Sequence, residues 1–116
     1  MKMFVDVPEV FLCVKLVDFR KSINGLAALI EEELELSVLN GALFVFCNKN
    51  RDKLKLLYRD ETGFALWYKR LDQHKFKWPR MTKKSMSLTE QQLHWLLSGF
   101  DVIGHQKIEL EGKYLS

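Results

Sequence analysis

The sequence predicts an α+β domain, an antiparallel sheet built on a central β-meander with two helices packed on it. Two observations carry that expectation. Between Leu43 and Trp78 the chain breaks into short runs rich in aromatic and aliphatic residues, separated by Asn, Asp and Gly clusters, which is how consecutive antiparallel strands read in sequence. On either side of it, one segment places apolar residues at three- and four-residue steps, the mark of a helix with one buried stripe.

In chain order, Val10–Val14 is apolar, rich in β-branched and aromatic residues and preceded by Pro8, and reads as a first strand. Ser22 is placed to cap a helix through Leu34, with Ile23, Leu26, Ala27, Ile30 and Leu34 on its apolar face. Asn40-Gly41 turns the chain into the meander. Its expected strands are Leu43–Cys47, Lys53–Arg59, Phe64–Leu71 and Lys75–Trp78, ended by Pro79. Arg80–Ser85 reads as a flexible basic arm. Ser87-Leu-Thr-Glu90 and Thr89-Glu-Gln-Gln92 are overlapping capping boxes that open a second helix, with Leu93, Leu96 and Leu97 as its stripe and Ser98-Gly99 as its end. Lys107–Glu111 is either a short edge strand or a frayed tail. The whole chain, 1–116, is expected to be one domain around one core, with Leu54, Leu56 and Leu66 meeting Leu26, Ile30, Leu93 and Leu96.

Alternation assigns the faces. Leu54, Leu56 and Tyr58 point one way and Lys53, Lys55 and Arg59 the other, with Leu57 an apolar exception. Phe64–Leu71 carries large apolar groups on both faces and is expected to be a central strand.

Charge is divided unevenly along the chain. Residues 48–84 hold twelve basic and four acidic side chains, a net of +8, whereas the remainder holds six basic and eleven acidic, a net of −5. A basic block in an acidic frame attracts phosphate backbones or acidic partners. The DNA-binding candidates are Lys53, Lys55, Arg59, Lys69, Arg70, Lys75, Lys77, Arg80, Lys83 and Lys84. Tyr58, Trp67, Tyr68 and Trp78 are interleaved with them, as a sheet that stacks bases would require, although aromatic residues in a small sheet more often fill a core. Glu31, Glu32, Glu33 and Glu35 fall in the last turns of the first helix, where the macrodipole disfavours them. They read as an ordinary solvated face, or as a docking surface for a basic partner.

Catalytic motifs are missing. There is no Gly-rich phosphate loop, no His-Glu-x-x-His and no zinc-spaced Cys pair, and His74, His94 and His105 are scattered. Asp52, Asp60 and Glu61 occupy turn positions that explain them locally. No enzymatic activity, metal or cofactor is expected. Cys13 and Cys47 lie in apolar runs and are expected to be buried free thiols. No run of about twenty apolar residues is present to span a bilayer, and Asp6, Glu9 and Lys15 interrupt any signal-peptide core. A cytoplasmic protein is expected.

The run Leu43-Phe-Val-Phe-Cys-Asn-Lys-Asn-Arg-Asp-Lys-Leu-Lys-Leu-Leu-Tyr58, then Asp60-Glu-Thr-Gly-Phe-Ala-Leu-Trp-Tyr-Lys-Arg-Leu71 and Phe76-Lys-Trp-Pro79, resembles the Orf2-like accessory protein, often called TnpB, of the sixty-six family of bacterial insertion sequences. Asp18-Phe-Arg-Lys-Ser22, Gly25-Leu-Ala27 and Leu88–Gly99 match the same pattern, so the resemblance spans about residues 10–100. Cys47, Glu61 and the acidic tail after Phe100 depart from it. The resemblance implies a small protein encoded beside a separate DDE-type transposase and needed with it for transposition. It implies no catalysis. Two readings remain: a factor that lays a cationic sheet on insertion-sequence ends or target DNA, and an adaptor that contacts the transposase with little or no DNA binding of its own.

Overall fold

The computed structural model of the chain describes residues 9–99. Five strands form one mixed sheet in the order β4-β3-β2-β1-β5. They are β1 (Val10–Cys13), β2 (Leu43–Cys47), β3 (Lys53–Arg59), β4 (Phe64–Arg70) and β5 (Ser85–Leu88), with helices α1 (Ile23–Glu32) and α2 (Glu90–Leu97). The meander is present as β2-β3-β4, antiparallel throughout. β1 lies parallel to β2, with Val10 opposite Leu43, because the chain crosses between them through α1, as a parallel pair requires.

α1 starts where Ser22 caps it, its hydroxyl accepting the Gly25 N–H. It stops two residues short of the expected Leu34. Leu34 N–H turns back to the Leu29 carbonyl at 3.1 Å and Glu35 takes a left-handed φ of 57°, so the chain leaves the helix there. α2 opens on the Thr89–Gln92 capping box, both reciprocal bonds being made; Ser87, the other possible cap, lies inside β5.

Two expectations for strands are corrected. Lys75–Trp78 is not a strand. Leu71 N–H bonds the Asp52 carbonyl at 2.8 Å and Phe76 N–H the Arg51 carbonyl at 2.6 Å, so after β4 the chain crosses the end of the sheet instead of adding to its edge. Phe76 is buried, and the Trp78 indole donates to the Cys13 and Val14 carbonyls, both at 3.1 Å. Alternating Lys and aromatic residues therefore mark a strap with one side inward, which satisfies the same pattern without a ladder. The strand that completes the sheet is β5, antiparallel to β1 on the far edge, with Cys13 opposite Ser85. β4 is correspondingly an edge strand and not a central one.

The single expected core is two cores, one on each face of the sheet. Leu12, Val45, Leu54, Leu56 and Phe76 pack with Leu93 and Leu96 of α2. On the other face Cys13, Phe44, Phe46 and Leu57 pack with Leu26, Leu29 and Ile30 of α1. Leu57, the exception to the alternation, is thus a core residue of the α1 face. β2 is buried at all five positions, as befits a central strand covered on both sides. Leu66 belongs to neither core and is 37% exposed. On the α1 side of β4, Phe64 packs against the core of that face, whereas Leu66 and Tyr68 are left exposed. The Lys107–Glu111 run lies outside the described residues.

Candidate nucleic-acid interface

The strand registers bring the C-terminal ends of β1, β2 and β4 together with the N-terminal ends of β3 and β5: Cys13 faces Ser85, Cys47 faces Leu54, and Lys53 faces Arg70. The turn 48–52 and the strap 71–84 both run along this end. Of the twelve basic side chains in 48–84, seven are exposed: Lys49, Arg70, Lys75, Lys77, Arg80, Lys83 and Lys84. All seven belong to this end. The Val14 N–H to Lys84 carbonyl bond, 3.0 Å, closes the strap onto β1. Across five strands spaced about 4.8 Å, the basic rim is about 20 Å wide.

The other five are half-buried, and several have structural duties. Lys55 Nζ donates to the Phe19 carbonyl at 2.8 Å and the Lys21 carbonyl at 3.3 Å, and sits 4.8 Å from the centre of the Phe19 ring. Lys69 projects from the opposite face of β4 and donates to the Leu97 carbonyl at 2.7 Å, satisfying a carbonyl at the end of α2. Arg59 stands over the Phe64 ring at 5.2 Å. It is six residues along β3 from Lys53, about 20 Å away at strand rise, so it shares a face with Lys53 but not an end. Lys53 lies at the basic end. Arg51, also there, is absent from the sequence-based candidates, as is Lys49; both lie in a turn whose shape the sequence does not announce.

That turn is built by Asn48, 8% exposed. Its Oδ1 accepts the N–H groups of Asp52 and Lys53, both at 3.0 Å, and its Nδ2 donates to Asp52 Oδ1 at 2.7 Å. The Asn48 hydrogen bond lowers the Asp52 carboxyl below its ordinary range. Arg51 is held at a φ of 61°, a conformation that costs a residue with a Cβ about 1–2 kcal/mol. Lys75 Nζ donates to Asn50 Oδ1 at 2.8 Å, tying the strap to the turn.

Two open grooves flank the turn. One, about 590 Å³ by the order of magnitude of a ligand cleft, is lined by Val17, Asp18, Arg20, Lys49, Lys53 and Tyr68 among others. The second lies between Val14, Leu16 and the Trp78–Met81 strap, with Arg51 in its wall and Lys49 shared with the first. Asp18 is the carboxylate of the first groove, and Arg20 binds it through Nε at 3.0 and 3.1 Å and Nη2 at 2.6 Å. Those bonds hold the Asp18 carboxyl far below the usual range.

Glu31, Glu32, Glu33 and Glu35 are all exposed at the end of α1. Glu33 reaches Lys15 at 3.8 Å, an ion pair in full solvent that contributes little. Asp60, at the opposite end of the sheet, is occupied by its own turn. Its Oδ1 accepts the Thr62 and Gly63 N–H groups and the Thr62 hydroxyl, which lower its carboxyl. Cys13 and Cys47 are buried free thiols on opposite faces of the sheet, and burial pushes them up to about 11 and about 12. His74 and His94 are exposed. Among the described residues no three His, Cys, Asp or Glu side chains gather as metal ligands, and no helix is long and apolar enough to cross a membrane.

Comparison with known proteins agrees with the sequence pattern. The chain is 38% identical over 84 residues to uncharacterized protein y4hO of Sinorhizobium fredii, covering 72% of this chain and 73% of that one. It is 34% identical over 85 residues to y4jC of the same organism, covering 73% of each. No solved structure matches. The family described as IS66 Orf2 like protein matches residues 8–107, and the chain belongs to that family of insertion-sequence accessory proteins.

Proposed function

We propose that this accessory protein acts in the cytoplasm beside the transposase as a non-enzymatic DNA-binding factor, and that it holds the phosphate backbone on the basic end of its sheet. The observation that carries this reading is the convergence of seven exposed lysines and arginines, from β4, the 48–52 turn and the strap, on one rim. α1 and α2 cover most of both faces of the sheet, which favours its basic end as the surface for duplex DNA.

Titration of labelled insertion-sequence-end duplex and a scrambled duplex, at several salt concentrations, tests it. About five to seven phosphate contacts give a log-log salt slope near −4 to −6, nearly the same for both duplexes. Combined charge reversal at Lys49, Lys77 and Lys83 lowers the slope by about three units, whereas Arg59→Glu, at the far end, leaves it unchanged. A flat salt response removes the rim from DNA.

The exposed run Glu31–Glu35 favours a second reading, in which the protein is an adaptor for a basic surface of the transposase. Reversals in that run then abolish transposase retention in a nuclease-treated pulldown, and the isolated protein binds no DNA at physiological salt.

A further inference from the structure

A phosphate-binding rim has no need of the groove beside Tyr68, yet that groove is built with care. One wall is the segment after β1, fixed by the Val17 N–H to Cys47 carbonyl bond at 2.9 Å and by a bridge between Val17 and Asn48. Its base is Lys55, held under the Phe19 and Lys21 carbonyls. Directly across the strand pair from Lys55 stands Tyr68, a large ring left 49% exposed. Lys49 and Lys53 line the same groove, and the Arg20 guanidinium neutralises its carboxylate, Asp18.

We propose that this groove binds single-stranded DNA, with a base stacked on Tyr68 and the flanking phosphates on Lys53 and Lys49. The inference rests on the DNA-binding reading above and names the form of DNA that fills this part of the site. At about 590 Å³ the groove falls in the size range of small-ligand clefts and has room for an unpaired base beside the ring. An exposed aromatic face among cations is the combination that holds single strands without regard to sequence. A duplex backbone on the rim and an unpaired strand in the groove together describe a junction between the two.

The test is fluorescence anisotropy with three probes: an oligo(dT) of about twelve nucleotides, within the span a single small module covers, an oligo(U) of equal length, and a hairpin duplex. Tyr68→Ala is expected to weaken oligo(dT) binding about 5- to 100-fold, the loss of one stacked base, with duplex affinity changed by less than about twofold and the thermal midpoint retained. Tyr68→Phe keeps the ring and is expected to keep the affinity. Lys53→Glu weakens oligo(dT) binding without altering the ring, which gives a second readout should Tyr68→Ala lose stability. Unchanged oligo(dT) affinity in Tyr68→Ala, with duplex binding intact, overturns the inference and leaves the rim reading standing. Tighter binding of oligo(U) than of oligo(dT) reassigns the groove to RNA and overturns DNA as its ligand. Absence of binding to every probe at low salt overturns both.

Discussion

Replacing Asn48 by Ala removes the one side chain on which the basic turn is built. The amide oxygen accepts two main-chain N–H groups, from Asp52 and Lys53, in a position only 8% exposed. Alanine leaves both donors without that acceptor. An unsatisfied buried donor costs about 1–3 kcal/mol, and because the Asp52 and Lys53 positions are half-buried, water recovers part of this. The expected loss is about 2–4 kcal/mol in total. For a chain of this length about 4 °C is lost per kcal/mol, so the midpoint should fall by about 8–16 °C. Thermal unfolding followed by tryptophan fluorescence measures the midpoint, and urea unfolding the free-energy loss. Asn48→Asp is the informative companion: it keeps an acceptor for both N–H groups but replaces the donor that faces Asp52 with a second carboxylate. Its deficit should therefore be large at pH 7 and shrink below about pH 4, where carboxylates protonate. A loss under about 0.5 kcal/mol for Asn48→Ala, the size of an ordinary surface change, would show that the turn does not depend on this side chain.

Two further outcomes follow from the fold. Leu56→Ala on the α2 face and Leu29→Ala on the α1 face should each cost about 2–5 kcal/mol and add in the double variant to within about 0.5 kcal/mol, whereas Leu66→Ala should cost little; strong coupling in denaturant titrations would mean one core after all. Asp18, Asp52 and Asp60 are held below their unfolded values, so the stability they contribute is complete above the unfolded carboxyl pKa of about 3.9 and is lost as pH falls below it. The urea midpoint should be level from about pH 7 to 5 and decline below about pH 4, and a midpoint held to about pH 3 would refute those assignments.

Much of the sheet was legible because strand-length runs and turn clusters report local physics. The alternation of Leu54 and Leu56 with Lys53 and Lys55 placed each correctly on its face. The misreadings came from distant partners. Leu57 and the unbroken apolar run of β2 were signals that both faces are covered, but without knowing where α1 and α2 pack they read as an exception and a strong strand. Lys75–Trp78 alternates as a strand does, because any strap with a buried side does so. Ser85–Leu88 is short and overlaps a capping pattern, so its pairing with β1, more than seventy residues earlier in the chain, left no local trace. The site was legible as a charge total and not as a geometry. Lys55 and Lys69 are engaged by carbonyls 36 and 28 residues away in sequence, and Arg59 shares a face with Lys53 at the wrong end of the same strand.

The two ends of the β3–β4 pair differ in a way that stability alone does not explain. At the turn end, Arg59 lies opposite Phe64 and over its ring, a favourable cross-strand pair, and Asp60 satisfies the turn it begins. At the basic end, Lys53 lies directly opposite Arg70, a like-charge pairing that disfavours the ladder, answered by the exposed Asp72, 3.6 Å from Arg70, and by the charge of Asp52 beside Lys53. Next to it Arg51 is held in a left-handed conformation that glycine would adopt without strain. Two local costs thus fall within three residues of each other on β3 and its turn, where the strap, the grooves and seven exposed cations also meet. Departures from local preference concentrate where a chain has been selected for something other than its own stability. An anion bound across Lys53 and Arg70 would turn their repulsion into attraction, so DNA should stabilise this end of the sheet more than it stabilises the end at Asp60.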